Sequence, residues 1–381
     1  MAKIDDLLQE LCPDGVEYAP LGCCANVVRG ERVTKKQLLE FGAYPVISGG
    51  VSPMGFLDKF NRKKDTITVA QYGTAGYVSF QEKDFWANDV CYSVYPQDNL
   101  LNKYLWYYLK SKQEYIYQIR NTDAVPYSLP PEKLKLVQIA IPPLHIQQHI
   151  VEVLDTFTDA ISNLEEELAL REKQFEYYRE HLLSFEKEVV DWKSISELGQ
   201  IIRGNGLQKK DFVQEGVGCI HYGQIYTKFG LSTSYTLSFV DAKLADKLTK
   251  IDPGNLVIAC TSENVDDLCK SVVWLGNTTI VTGGHACVLK HKENAKYIGY
   301  CFTSNSFQSQ KKKFAYGTKV LDIKKEKLGE IKIPVPSLER QQEIVEILDT
   351  FEAMIANIKE EIALRTKQYE YYREKLLSFG K

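Results

Sequence analysis

Long apolar runs are missing from the 381 residues: the stretch around Leu256 to Ala259 is far shorter than the roughly 20 residues that a membrane-spanning helix needs. No apolar signal segment opens the chain either, because Met1-Ala2-Lys3-Ile4-Asp5-Asp6 turns acidic at once, and a cytoplasmic address is expected. None of the nine cysteines forms a Cys-x-x-Cys pair or stands with histidines at zinc-ligand spacing, so the expectation is buried thiols in a reducing compartment, with no cofactor and no metal. Catalytic signatures are absent as well. There is no Gly-x-x-x-x-Gly-Lys-Ser/Thr loop for nucleotide phosphates, no His-Glu-x-x-His, no Gly-x-Ser-x-Gly, and no Asn/Asp-Pro-Pro-Tyr/Phe of the kind that holds a flipped base. A large net charge is also lacking, but the total of −3 hides an uneven distribution. Residues 1–143 are neutral, 144–190 carry −7, 191–336 carry +6 and 337–381 carry −2. Acid is concentrated in 144–190 and 337–381, leaving the rest neutral or basic.

What the chain has instead is a repeat. Residues 144–185 match 338–379 without a gap, with 28 of 42 positions identical, among them Gln147-Gln148 with Gln341-Gln342 and Leu154-Asp155-Thr156-Phe157 with Leu348-Asp349-Thr350-Phe351. Apolar residues in each copy step by fours and threes, a heptad seam that strands do not have. The first seam runs Ile150, Leu154, Phe157, Ile161, Leu164, Leu168, Arg171, Phe175, Tyr178, Leu182. Its counterpart is Ile344, Leu348, Phe351, Ile355, Ile358, Ile362, Arg365, Tyr369, Tyr372, Leu376. Each copy starts just after prolines, Pro142-Pro143 and Pro334-Val335-Pro336, and has none inside, which predicts uninterrupted helices about 60 Å long at 1.5 Å per residue. Arg171 and Arg365 put a charge at the same seam position twice, a device that commonly sets register or pairing.

The segments between the helices repeat more faintly. Val27-Val28-Arg29-Gly30 aligns with Ile201-Ile202-Arg203-Gly204, Lys35-Lys36 with Lys209-Lys210, and Lys103-Tyr104-Leu105-Trp106-Tyr107 with Lys296-Tyr297-Ile298-Gly299-Tyr300. Short alternating runs at 66–70, 90–94, 255–259 and 285–289 read as strands, and Tyr104 to Arg120 reads as a helix. The fold class expected is α+β. Two globular mixed α/β domains, 1–143 and 188–336, alternate with two long helices, 144–187 and 337–381, which pair as an antiparallel coiled coil with internal pseudo-two-fold symmetry. A short helix over 3–11 is expected to cap the first domain. His145, His149 and His181 have Glu339, Glu343 and Lys375 as counterparts and read as solvated helix surface, while His221, His285 and His291 of the second domain could touch a ligand but read first as core or surface histidines.

A proline lead-in, then Gln-Gln-x-Ile-Val-x-x-Leu-Asp opening each helix, twice behind two variable domains, resembles the specificity subunit of type I restriction-modification enzymes. Leu11-Cys12-Pro13-Asp14-Gly15-Val16-Glu17-Tyr18 is similar to that family's opening. The resemblance implies two target-recognition domains, each reading one half of a split double-stranded DNA site, and a helical spacer that sets the gap. It also implies partners: two modification subunits that methylate adenine, and restriction subunits acting as translocase and nuclease. The chain itself would carry no chemistry.

Candidates for DNA contact are polar or basic residues on glycine-rich loops. In the first domain they are Arg29, Lys35, Lys36, Ser48, Arg62, Lys63, Lys64, Gln71, Tyr72, Thr74 and Tyr127. In the second they are Arg203, Lys209, Lys210, His221, Tyr222, Gln224, Ser262, Asn264, Lys311, Lys312, Lys313, Tyr316 and Lys319. The lysine pairs and Arg62-Lys63-Lys64 suit phosphates, whereas the amides of Gln71, Gln224 and Asn264 suit adenine edges. Two other classes stay open on the residues alone. A self-contained nuclease or methyltransferase would be active as the pure chain, and a coiled-coil adaptor binding only protein would have no DNA affinity at any salt.

Overall fold

A computed structural model describes residues 10–123, 125–185 and 189–379, so the expected helix over 3–11 lies almost wholly outside the described residues. The chain folds into two compact units, and each takes a part of both long helices. The first comprises residues 1–165 and 360–381, the second 166–359.

In the first unit the strands Ala25–Arg29, Cys91–Pro96, Thr66–Ala70 and Val78–Gln81 lie side by side in that order, antiparallel throughout. Thr66–Ala70 is buried along its whole length, as its run of β-branched residues suggests. A smaller three-stranded sheet holds Tyr44–Ile47, Phe56–Leu57 and Trp86–Ala87. Glu17–Pro20 pairs with Gln138–Ile141 and closes the domain just before the long helix begins. The helix expected from Tyr104 to Arg120 is instead two, Asn102–Ser111 and Gln113–Gln118. The break frees Gln113 to serve the sheet edge: its Oε1 accepts from the Val78 N–H at 3.0 Å and its Nε2 donates to the Gly76 carbonyl at 2.7 Å.

The second unit repeats this plan and enlarges it. Gly199–Arg203, Ala286–His291, Leu256–Ala259, Ser271–Trp274 and Ser232–Thr233 form one sheet, while a second five-stranded sheet stands where the first unit has three short strands. Asp191–Ser194 pairs with Lys332–Val335, again just before a long helix.

The long helices span Leu144–Ser184 and Leu338–Leu377. Their first turns are fastened to their own domains by the repeated Gln and Asp. Gln147 is fully buried: its Oε1 accepts from the Leu101 N–H at 2.7 Å, and its Nε2 donates to the carbonyls of Asn99 (2.9 Å) and Pro142 (2.7 Å). Gln341 does the same with the Asn294 N–H (2.9 Å), the Pro336 carbonyl (3.0 Å) and the Glu293 carboxylate (2.7 Å). Two turns further along, Asp155 accepts from Tyr107 (2.6 Å) and pairs with Lys103 (2.9 Å), as Asp349 accepts from Tyr300 (2.8 Å) and pairs with Lys296 (2.7 Å). Unmade, each of these buried bonds would leave a desolvated polar group, so they fix the angle at which the helix leaves the domain.

In each unit the two helices run antiparallel. The first stacks Phe157 on Tyr372 at 5.1 Å and buries Leu376 and Leu377 with Ile150 and Leu154. In the second, Tyr178 stacks on Phe351 at 5.2 Å and Glu172 meets Lys359 at 2.8 Å. Of the seam residues, Ile150, Leu154, Ile344, Leu348 and Leu376 are buried; Phe157, Ile161, Leu164, Leu168, Phe175, Leu182, Phe351, Ile355, Ile358, Ile362, Tyr369 and Tyr372 are half-buried. Tyr178 is 41% exposed despite its stacking. The two seam arginines do not reach across: Arg171 turns to Glu167 (3.4 Å) and Gln174 (3.1 Å), and Arg365 to Glu361 (3.3 Å), each on its own helix. An aliphatic stem long enough to leave the seam lets the charge stay in water, so the cross-helix ion pair falls to Glu172 and Lys359 instead.

Candidate nucleic-acid interface

The loops that carry the expected contacts in the first domain are stitched together by backbone hydrogen bonds. Thr74 gives both its N–H (2.8 Å) and its hydroxyl (2.7 Å) to the Gly49 carbonyl, the Leu129 N–H goes to the Gln71 carbonyl (2.8 Å), and the Asn88 N–H to the Ile47 carbonyl (2.9 Å). Asn88 also accepts from the Val33 N–H (2.9 Å) and donates to the Ser48 hydroxyl (3.3 Å). The approach is so close that a Cβ on Gly49 would sit 2.3 Å from the Tyr72 carbonyl oxygen, and Gly73 facing it has φ +74°. Of the residues expected to contact DNA on these loops, Arg29, Tyr72, Thr74 and Tyr127 are exposed and Ser48 is half-buried. Lys35 and Lys36 are exposed on a short 3-10 turn nearby in sequence.

The second domain repeats the stitching. The Ile323 N–H goes to the Cys260 carbonyl (3.1 Å), as Leu129 does to Gln71. Thr261 pairs with Asp322 as Tyr72 pairs with Ser128, and Arg203 lies opposite Cys287 as Arg29 lies opposite Tyr92. Corresponding positions follow without ambiguity, and their side chains differ: Gln71 against Cys260, Val90 against His285, Ser128 against Asp322. Here a chain of polar contacts crosses the surface. The exposed His285 ring reaches the Thr261 hydroxyl at 3.1 Å, Thr261 reaches Asp322 at 3.2 Å, and Asp322 binds both terminal nitrogens of Arg203 at 3.1 and 2.8 Å. Burial works to raise the Asp322 carboxyl, and the Arg203 guanidinium overrides it, holding the group below its ordinary value. Tyr222 packs at 4.8 Å from His285 and 4.5 Å from His221, whose pKa is lowered chiefly by burial.

Several expected contacts are occupied elsewhere. Lys311 is fully buried, on the inner face of the helix Asn305–Phe314, with its ammonium 3.4 Å from the Asp266 carbonyl; it is unavailable to a phosphate, unlike its exposed neighbours Lys312 and Lys313. Two of the three amides assigned to bases are engaged internally, and the third is turned from solvent. Gln224 caps the His221 N–H (2.9 Å) and donates to Ser238 (2.8 Å). Asn264 bonds Asp267 twice, at 2.8 Å each. Gln71 turns inward to Tyr92, with its Oε1 shut from solvent. Ser262 is buried and accepts from the Asn264 N–H (3.3 Å). Arg62 spends its donors on Ser93 (3.2 Å) and the carbonyls of Asn61 (2.8 Å) and Arg29 (3.0 Å), which makes it a brace between strands.

Lys63 and Lys64 precede the strand Thr66–Ala70, so they stand at its opposite end from the loop that starts at Gln71, and Lys63 pairs with Asp84 at 3.3 Å. Lys209, Lys210, Tyr316 and Lys319 are exposed. Residue typing passed over His285 and Asp322; their only signal is alignment with Val90 and Ser128, which becomes visible once the ladders are paired. Seven of the nine cysteines are buried, Cys12 is half-buried, and Cys23 is exposed, contrary to the uniform burial expected; burial pushes the Cys91 and Cys219 thiols up to about 12. Among the described residues no cluster of His, Cys, Asp and Glu suits a metal ion, and no helix is long and apolar enough to cross a membrane.

Comparison with known proteins gives a consistent result. Residues 13–171 and 189–364 both match the type I restriction modification DNA specificity domain. The specificity subunit of the type I restriction enzyme EcoR124I/EcoR124II from Escherichia coli is 34% identical over 249 residues, which is 62% of this chain and 60% of that protein's length. A putative type I restriction enzyme specificity subunit from Haemophilus influenzae is 26% identical over 390 residues, covering 96% of both. In fold, the chain is similar to the S subunit of the type I restriction-modification system of M. genitalium, with a TM-score of 0.65 at 19% identity over 95% of this chain and 96% of that one. With both of its repeats matched, the chain belongs to the type I restriction modification DNA specificity family.

Proposed function

We propose that this chain is the non-catalytic subunit that gives a multisubunit methyltransferase and endonuclease its DNA sequence specificity. The first domain reads one half of a split site, the second domain reads the other, and the paired helices set the gap between them. The same helices dock two modification subunits, which supply adenine methylation, and restriction subunits join that assembly.

One observation carries this reading. The two domains share the hydrogen bonds that tie their loops together at Leu129 to Gln71 and Ile323 to Cys260, and at corresponding positions their side chains differ, as at Val90 against His285 and Ser128 against Asp322. A scaffold repeated twice with its loop positions individually changed suits two readers of one ligand class with two targets, because base edges are told apart by donor and acceptor patterns while phosphates are not. The exposed Lys35-Lys36 and Lys209-Lys210 pairs, on matching 3-10 turns, fit the phosphate role. An adaptor that binds only protein would have no use for that pattern, and membership of the family weighs against it.

The test is a map of methylated adenines across the source genome with this gene intact and deleted. Loss of one split motif with a fixed gap is the expected outcome. An unchanged map, in a strain whose modification subunits are expressed, would overturn the reading.

A further inference from the structure

Arg29 and Arg203 occupy the same place in the two domains. Each ends an edge strand, opposite Tyr92 and Cys287 respectively, and each donates its Nε to the carbonyl of the corresponding residue, Asp89 or Gly284. That bond fixes the stem and leaves the direction of the two terminal nitrogens set by the strand. In the second domain both terminal nitrogens are held by Asp322. In the first domain the corresponding position is Ser128, and among the described residues no carboxylate lies within ion-pair distance of Arg29, whose side chain is exposed. The amide that would compete with it for a base, Gln71, is turned inward to Tyr92.

The difference between the domains argues for the kind of ligand. A phosphate contact is worth the same on any sequence, so nothing would favour neutralising it in one domain alone. A base contact has to differ between two domains that read different half-sites. A planar fork held by its Nε on a rigid strand matches the paired O6 and N7 acceptors of guanine in the major groove.

On the reading that each domain recognises a half-site, we propose that Arg29 reads a guanine in the first domain's half, and that Asp322 silences the equivalent Arg203 in the second. Ser128 is then a specificity position as well, because a carboxylate there would capture the fork without removing it.

The experiment replaces the chromosomal gene with the full-length variants Arg29→Ala, Arg29→Lys and Ser128→Asp and maps methylated adenines in each strain. All three variants are expected to relax one guanine position in one half of the motif, discrimination there falling roughly 5- to 150-fold, with the other half and the gap unchanged. Arg29→Lys keeps the positive charge, so a phosphate role predicts little effect from it, and from Ser128→Asp, whose carboxylate would neutralise the fork, it predicts uniformly weaker methylation with the motif unrelaxed. An unrelaxed motif in Arg29→Lys and Ser128→Asp, with uniformly weaker methylation in Arg29→Ala, would overturn the proposal. Absence of any split motif with the unaltered chain would instead overturn the half-site reading on which it rests.

Discussion

In the first unit Gln147 and Asp155 fasten the long helix to the backbone of residues 99–101 and to Lys103 and Tyr107; in the second, Gln341 and Asp349 fasten its partner to Asn294, Lys296 and Tyr300. The joints correspond except that Gln341 bonds the Glu293 carboxylate where Gln147 bonds the Asn99 carbonyl, and Glu352 stands where Thr158 does. A few strands away the correspondence ends: among the described residues no carboxylate pairs with Arg29, whereas Arg203 is clamped by Asp322, and the small three-stranded sheet of one domain has a five-stranded one as its counterpart in the other. On the proposed function, the joint between domain and helix serves as a rigid mount in both halves. The loops then differ because two identical readers would recognise the same half-site.

This comparison can be broken most sharply at the joints. Leu154→Ala and Leu348→Ala, at matching and fully buried seam positions, are each expected to destabilise their own unit by roughly 2–5 kcal/mol, measured by chemical denaturation with hydrogen exchange to locate the loss. A cost in one unit and none in the other would show that the two joints are not equivalent. Gln147→Ala and Gln341→Ala should each cost about 1–3 kcal/mol, since each strands a buried backbone donor.

The loops give the opposite expectation, inequality at matching positions. Arg203→Ala should destabilise the second unit by roughly 1.5–3 kcal/mol by leaving Asp322 without its partner. Arg29→Ala should stay within about 0.5 kcal/mol of the natural chain in the same denaturation assay. Equal costs would mean that the terminal nitrogens of Arg29 have a structural partner and would remove the ground for treating it as a reader.

The smallest effect lies where one joint departs from the other, at Glu352, which takes the place of Thr158 beside the repeated tyrosine and aspartate. Burial raises the Glu352 carboxyl above its ordinary value, and the nearby Asp349 adds to this while Tyr300 and Lys296 oppose it. A raised folded-state pKa means stability that is fully present below 4.5 and lost as pH rises through the raised value. Glu352→Gln should therefore flatten the pH dependence of the second unit's stability above 4.5, and it should leave the first unit unchanged.

Much of the scaffold was legible because two copies of it are written in one chain: a repeat of 28 identities in 42 positions reveals the helices, and the heptad step reveals their seam. Hydrogen-bond competition was not legible. Gln224 and Asn264 have the right chemistry for an adenine edge, but local backbone N–H groups claim them first, as short polar side chains near turns commonly are. Lys311 sits in a run of three lysines that reads as one basic patch, yet the helical turn points it inward while Lys312 and Lys313 stay in water. The break at Lys112 escaped notice because nothing in its residue type stops a helix; the cause is the tertiary use of Gln113. His285 and Asp322 became candidates only when strand register showed which residues they replace.

The most direct test of the central claim, one half-site per domain, is to build a chain in which a second copy of the first domain replaces residues 188–336 and to map methylated adenines in the source strain carrying it. The account predicts that the half-site now read by the first domain is found in both halves of the motif and that the other half-site vanishes. Persistence of the original second half-site would contradict it.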